Sequence, residues 1–231
     1  MWSKKSSLSC FSIILLLFLL QACAGRLPLV KDNLKSISAV TVVRHQTPTI
    51  GLRTVGSGVL LGLGGIVTAP VGASMEASGG KEVQEKGGLP DFGELVMLKF
   101  AERVPKEIPE WPEIKTENRP VPKDYQYKDA DYLEFKIQEL TIITVSGLLA
   151  VTNVTMFNKK GKVIWRDHFR YTGIVHHKEH KGKNKEYWEA DNYKILKEEM
   201  LFAADYTVSE FIKAIKTEKL IDEVSFYDLF R

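Results

Sequence analysis

Between Tyr132 and Thr172 three apolar stretches follow one another with room only for short turns between them. Strands joined this tightly run antiparallel, because a parallel return needs a crossover of roughly a dozen residues or more. The first stretch, residues 132–145, alternates at Leu133, Phe135 and Ile137, then slips phase to Leu140 and Ile142. A slip of one residue turns every later side chain to the opposite face, so a β-bulge near Glu139 is expected. Leu149 to Phe157 is the second strand. Asn158-Lys159-Lys160-Gly161 forms the hairpin turn, with glycine where positive φ is wanted. Lys162 to Thr172 is the third strand and places Val163, Trp165, Phe169 and Tyr171 on one face. A sheet with so apolar a face needs cover.

Two amphipathic segments supply it. Asp91 is an N-cap candidate with Glu94 three residues on, a capping box. Phe92, Leu95, Val96, Phe100 and Val104 then share a helical face until Pro105, which is expected to end the helix. Further on, Asp191 or Asn192 caps a long helix whose stripe includes Tyr193, Leu196, Met200, Ala203, Ala204, Val208, Phe211, Ile212 and Ile215. Ile37 to Val43, rich in β-branched residues, reads as an early strand. Pro109, Pro112, Pro120 and Pro122 mark an extended loop, and Trp165 and Trp188 read as core. The expected fold class is α+β: an antiparallel sheet of about four strands with two main helices packed on one face, in the order β-α-β-β-β-α. The apolar set from Leu220 to Phe230 is expected to dock back onto this domain.

The amino terminus carries a different kind of signal. Lys4 and Lys5 precede an apolar run, Phe11 to Leu20, too short for the ~20 apolar residues that span a bilayer. A basic start, a short apolar core and a small residue ahead of a cut are the parts of a secretory signal peptide. Leu20-Gln21-Ala22-Cys23 resembles the lipobox of bacterial lipoproteins. The resemblance implies a diacylglyceryl group on Cys23, cleavage before it, and acylation of the new amino terminus. Ala24 in place of aspartate leans towards the outer membrane, so the expected location is its periplasmic face. One acyl chain holds a protein only marginally; two or three make attachment effectively permanent. The domains follow: residues 1–22 as signal peptide, 23–36 as lipidated tether, and 37–231 as one α+β domain with a glycine-rich insertion at 56–80.

Removing residues 1–22 also removes Cys10, so with Cys23 acylated no disulfide is expected. The net charge of +3 falls to +1 once Lys4 and Lys5 are gone. So small a charge on the whole chain argues against nucleic acid as a partner. The expected partners are the membrane, through Cys23, and an envelope protein; the sequence leaves the oligomeric state open, and no cofactor is expected.

Asp131-Tyr132-Leu133-Glu134-Phe135-Lys136-Ile137, followed after a strand by Gly161-Lys162-Val163-Ile164-Trp165, resembles periplasmic α+β lipoproteins. The amino-terminal domain of TolB, the curli-secretion lipoprotein and the lipopolysaccharide-assembly lipoprotein are of this kind. The resemblance spans about residues 37–215 and implies helices on a sheet, with an accessory or assembly role in the envelope and no enzymatic one.

Two stretches stand apart. No charge occurs between Arg53 and Glu76. Within this stretch Gly58, Leu60, Leu61, Leu63, Ile66 and Val67 are the candidate membrane or partner contacts. Three readings stay open: a buried glycine-rich strand and loop, a membrane-inserting segment, or a partner-binding one. Gly56-Ser57-Gly58-Val59-Leu60 with Gly65-Ile66-Val67-Thr68-Ala69 resembles the opening of trypsin-like proteases, but Pro70-Val71 stand where that family has its histidine. No Gly-x-Ser-Gly-Gly follows, so base and nucleophile are both missing. The second stretch, His176-His177-Lys178-Glu179-His180, contains the His-x-x-Glu-His pattern of inverted zinc peptidases. That motif needs a helix to aim both histidines at one metal, whereas this stretch reads as a solvated basic loop. No metal is expected; His176, His177 and His180 are the candidate ligands if one binds, and His176, Glu179 and His180 would be the centre of a metal-dependent hydrolase.

Overall fold

The structure, a computed structural model, describes residues 27, 29, 34–53, 83, 87–117, 119–122, 125, 129–143 and 146–217. The lipobox, the glycine-rich stretch and the segment from Leu220 to Phe230 lie outside them. The elements are β1 (Ala39–Arg44), β2 (Gly51–Arg53), α1 (Phe92–Glu107), β3 (Glu113–Thr116), β4 (Tyr132–Ile143), β5 (Gly147–Phe157), β6 (Val163–Thr172), a single turn α2 (Gly173–His176), a 3₁₀ turn (Lys178–His180) and α3 (Lys185–Thr217).

The β4-β5-β6 meander is antiparallel throughout, and its register shifts between Ile137 and Glu139, where the apolar phase slips. The rest of the sheet departs from expectation. It has six strands in the order β3-β1-β4-β5-β6, with β2 also on β4, and it is mixed. β1 pairs parallel with both β3 and β4, and β2 pairs parallel with β4. The cause is connectivity: α1 lies between β1 and β4, so the chain crosses over and returns in the same direction. β2 is three residues long, and β3 sits inside the proline-punctuated stretch expected to be loop. Neither is long enough to show a period of two.

Both main helices cover one face. α1 lies on β1, β3 and β4; α3 lies on β5, β6 and α1. Phe211, fully buried, sits among the rings of Phe100, Trp111 and Trp165 at centroid distances of 4.9, 5.3 and 5.3 Å, all edge-on. Edge-on contact sets positive ring edges against negative faces, which orders the core beyond simple burial. Trp165 and Trp188 are both core.

Asp91 caps α1 by accepting from the Glu94 N–H, as its sequence implies. Pro105 does not end the helix. It falls in the last turn, where its missing N–H removes one bond, and Ile108 N–H to the Val104 carbonyl at 2.8 Å closes the next. Asp191 and Asn192 are not a cap. They form a break inside α3 with Tyr193, at φ of 50°, 56° and 60°, and a turn of helix from Lys185 precedes them. Asp and Asn tolerate this left-handed backbone better than other side chains do.

Among the described residues the opposite face of the sheet is only partly covered. Val43, Val121 and Tyr132 form a small cluster there, with Phe157 stacked on Tyr132 at 4.5 Å. Beyond it Lys136, Gln138, Arg166, His168 and Arg170 are exposed.

Candidate functional site

The histidine stretch folds back over the start of the second half of α3. After β6 the chain makes the single turn α2, and Ile174 N–H donates to the Ser146 carbonyl at 2.8 Å, tying this turn to the loop before β5. His177 leaves α2 at φ −128° and ψ 80°, and the 3₁₀ turn brings His180 underneath, where it is buried. Below lies Glu199, on the buried stripe of α3 between Leu196 and Met200 and 2 % exposed.

Glu199 gathers the neighbouring polar groups. Tyr171 Oη donates to its Oε1 at 2.7 Å. His180 Nδ1 is 3.0 Å and His177 Nε2 3.8 Å from its Oε2. Both nitrogens are within ion-pair reach, but the rings are turned so that neither makes a hydrogen bond. His177 Nδ1 lies 3.3 Å from Glu179 Oε1. The His177 and His180 rings stack at 5.1 Å, Phe202 meets His177 edge-on, and Trp188 meets His180 edge-on. A cavity of about 340 Å³ opens beside them, lined by His177, Glu179, Glu198 and Phe202 among others. Burial raises the Tyr171 phenol far above its usual range, and the hydrogen bond to Glu199 and the charges of Glu199 and Glu179 add to this. Glu179 is solvent-exposed and held below the usual carboxylate range by its own backbone N–H and by His177.

The sequence motif and the spatial cluster are therefore different sets. The structure joins His177, His180 and Glu199, with Glu179 at the margin. It sets His176 apart, stacked on Tyr171 at 5.1 Å and against Tyr206 at 4.6 Å. Among the described residues no group of three His, Cys, Asp or Glu side chains is placed to hold a metal ion. Cys23, Gly58, Leu60, Leu61, Leu63, Ile66 and Val67 lie outside the described residues.

Glu199 was missed in the sequence. Its signal was a single carboxylate on an otherwise apolar stripe, three residues after Leu196 and four before Ala203. A charge at such a position is stable only with a partner, and the partners come from β6 and from the loop.

A second polar cluster ties β1 to α1. Arg44, 4 % exposed, pairs with Asp91 at 2.7 Å and with Glu94 at 3.5 Å. Thr47 donates to Asp91 and accepts from the Gly93 N–H at 3.0 Å. His45, next along, is paired with Glu134. Between the end of β1 pairing at Phe135 and the start of β2 pairing at Thr141 a cleft of about 480 Å³ opens beside His45, Gln46, Lys136 and Gln138.

No protein-family model and no curated protein matches the chain. Several solved structures are weakly similar to it, two of them as follows. A PelC dodecamer from Paraburkholderia phytofirmans gives a TM-score of 0.36 at 9% identity, covering 83% of this chain and 92% of that one. A Xanthomonas campestris protein of the DUF330 family gives 0.35 at 8% identity, covering 84% and 95%. At such scores the chemistry has to be argued from the residues of this chain.

Among the described residues no helix is long and apolar enough to cross a membrane.

Proposed function

We propose that the protein is a lipid-anchored, non-enzymatic accessory or assembly subunit of a bacterial envelope complex, held by Cys23 at the periplasmic face of the outer membrane. The observation that carries the reading is the order of basic start, apolar core and Leu20-Gln21-Ala22-Cys23 ahead of a domain that begins about a dozen residues later. The inward use of the histidine cluster supports the non-enzymatic part. Glu199 accepts from Tyr171 and lies against His180 in the core, so the cluster acts as a clasp between loop and helix.

The test is recovery of the mature protein from membranes in mild detergent, with identification of whatever co-purifies in stoichiometric amount. A single envelope assembly is the expected result. A solitary protein would sink the subunit reading. Zinc bound in stoichiometric amount and lost on His180→Ala would replace it with the metal-dependent hydrolase.

A further inference from the structure

The sheet face away from the helices carries a cluster of basic side chains. Directly opposed residues of antiparallel strands point to one face, so the registers place Glu134, Thr155 and Arg166 in one row. Lys136, Asn153 and His168 form the next, and Glu139, Val151 and Arg170 the third. Strands lie about 4.8 Å apart, so Lys136, Arg166, His168 and Arg170 share a patch about 10 Å wide. All four are exposed. The same rows hold two acids, Glu134 beside His45 and Glu139 beside Thr141, so the lysine and arginines outnumber them by three to two. Lys136, Arg166 and Arg170 make no ion pair among the described residues.

The chain enters beside the patch at Leu27. Leu27 pairs with Arg166 through two backbone hydrogen bonds, Leu27 N–H to the Arg166 carbonyl at 2.9 Å and the reverse at 3.0 Å. Cys23 is four residues upstream, and four residues span at most about 14 Å. A lipid on Cys23 therefore keeps the bilayer surface within reach of Arg166 and its neighbours.

We infer that this face, through Lys136, Arg166, His168 and Arg170, rests on the anionic phospholipid headgroups of the membrane that holds the anchor. The inference rests on the lipoprotein reading for its geometry, but its charge chemistry is testable without the lipid. Each lysine or arginine near an anionic surface contributes about fivefold to partitioning. The effect falls off within a Debye length, about 8 Å at physiological salt.

The experiment uses residues 23–231 with Cys23→Ser, so that no acyl chain contributes, and sedimentation with vesicles of phosphatidylcholine alone or with phosphatidylglycerol added. The expected result is binding to the phosphatidylglycerol vesicles, release by salt, and at least a twentyfold loss in Arg166→Glu/Arg170→Glu. Lys106→Glu, on the helical side, should leave binding unchanged, with circular dichroism confirming that both variants fold. Equal binding to the two vesicle types, or equal loss in Lys106→Glu and the double variant, would overturn the inference. Acylation of Cys23 is read separately by mass, so failure of the anchor and failure of the patch are distinguishable.

Discussion

Replacing Glu199 by alanine should be among the more damaging single changes in the domain. The side chain is 1% exposed and accepts from Tyr171 Oη at 2.7 Å. Truncation leaves a buried hydroxyl with no acceptor, a cost of about 1–3 kcal/mol. It also removes the negative partner beside His180 and leaves a void between loop and helix. Opening a void by truncating a large buried side chain costs about 2–5 kcal/mol, so we expect about 3–4 kcal/mol in all. Glu199→Gln keeps an oxygen for Tyr171 and should cost about 1–2 kcal/mol. Tyr171→Phe keeps the ring against His176 and Tyr206 and should also cost about 1–2 kcal/mol. The double variant Tyr171→Phe/Glu199→Ala should then fall short of additivity by about 1–2 kcal/mol, because the hydroxyl has no partner left to lose. Urea unfolding of the four proteins measures the cycle. Additivity within about 0.5 kcal/mol, or a Glu199→Ala cost under about 1 kcal/mol, would refute the clasp.

Gly173→Ala should destabilise by about 1–3 kcal/mol in thermal melts, because the added carbon would meet the Glu199 carboxylate and, at 3.0 Å, the backbone nitrogen of Leu148, which has no rotamer by which to move. The Tyr171 phenol is raised by burial and by Glu199, so the folded state keeps a proton that the unfolded state sheds. Its contribution is present below the ordinary tyrosine range and is lost as pH climbs past about 10; Tyr171→Phe should flatten that alkaline loss. Asp91→Ala removes the cap of α1 and the nearest partner of buried Arg44 together, so its unfolding cost should be about 3–5 kcal/mol, above the ~1 kcal/mol of a cap alone. Phe211→Ala opens the aromatic core and should cost about 3–5 kcal/mol by the same assay.

The meander from Tyr132 to Thr172 was legible because its strands are 10 to 12 residues long and their turns are tight. Even the bulge showed, as a parity change between Ile137 and Leu140. Of the parallel half only β1 was, from its β-branched run. β2 and β3 are held by neighbours distant in sequence, and three or four residues carry no period. α1 was visible from Asp91 and its stripe, but the tolerance of Pro105 depends on how close it lies to the helix end. The site was half legible. The histidines were noticed as a motif, yet the partner that organises them is a carboxylate nineteen residues beyond His180, visible only as one charge on an apolar face. His176 looked like the natural mate of His180 in the chain; in space it belongs to the tyrosines.

Intact mass spectrometry of the protein extracted from its native membrane reads the anchor itself. The expected result is a mature chain that begins at Cys23 and carries a diacylglyceryl group with a further acyl chain. An unmodified chain, or one that begins at any other residue, would contradict it.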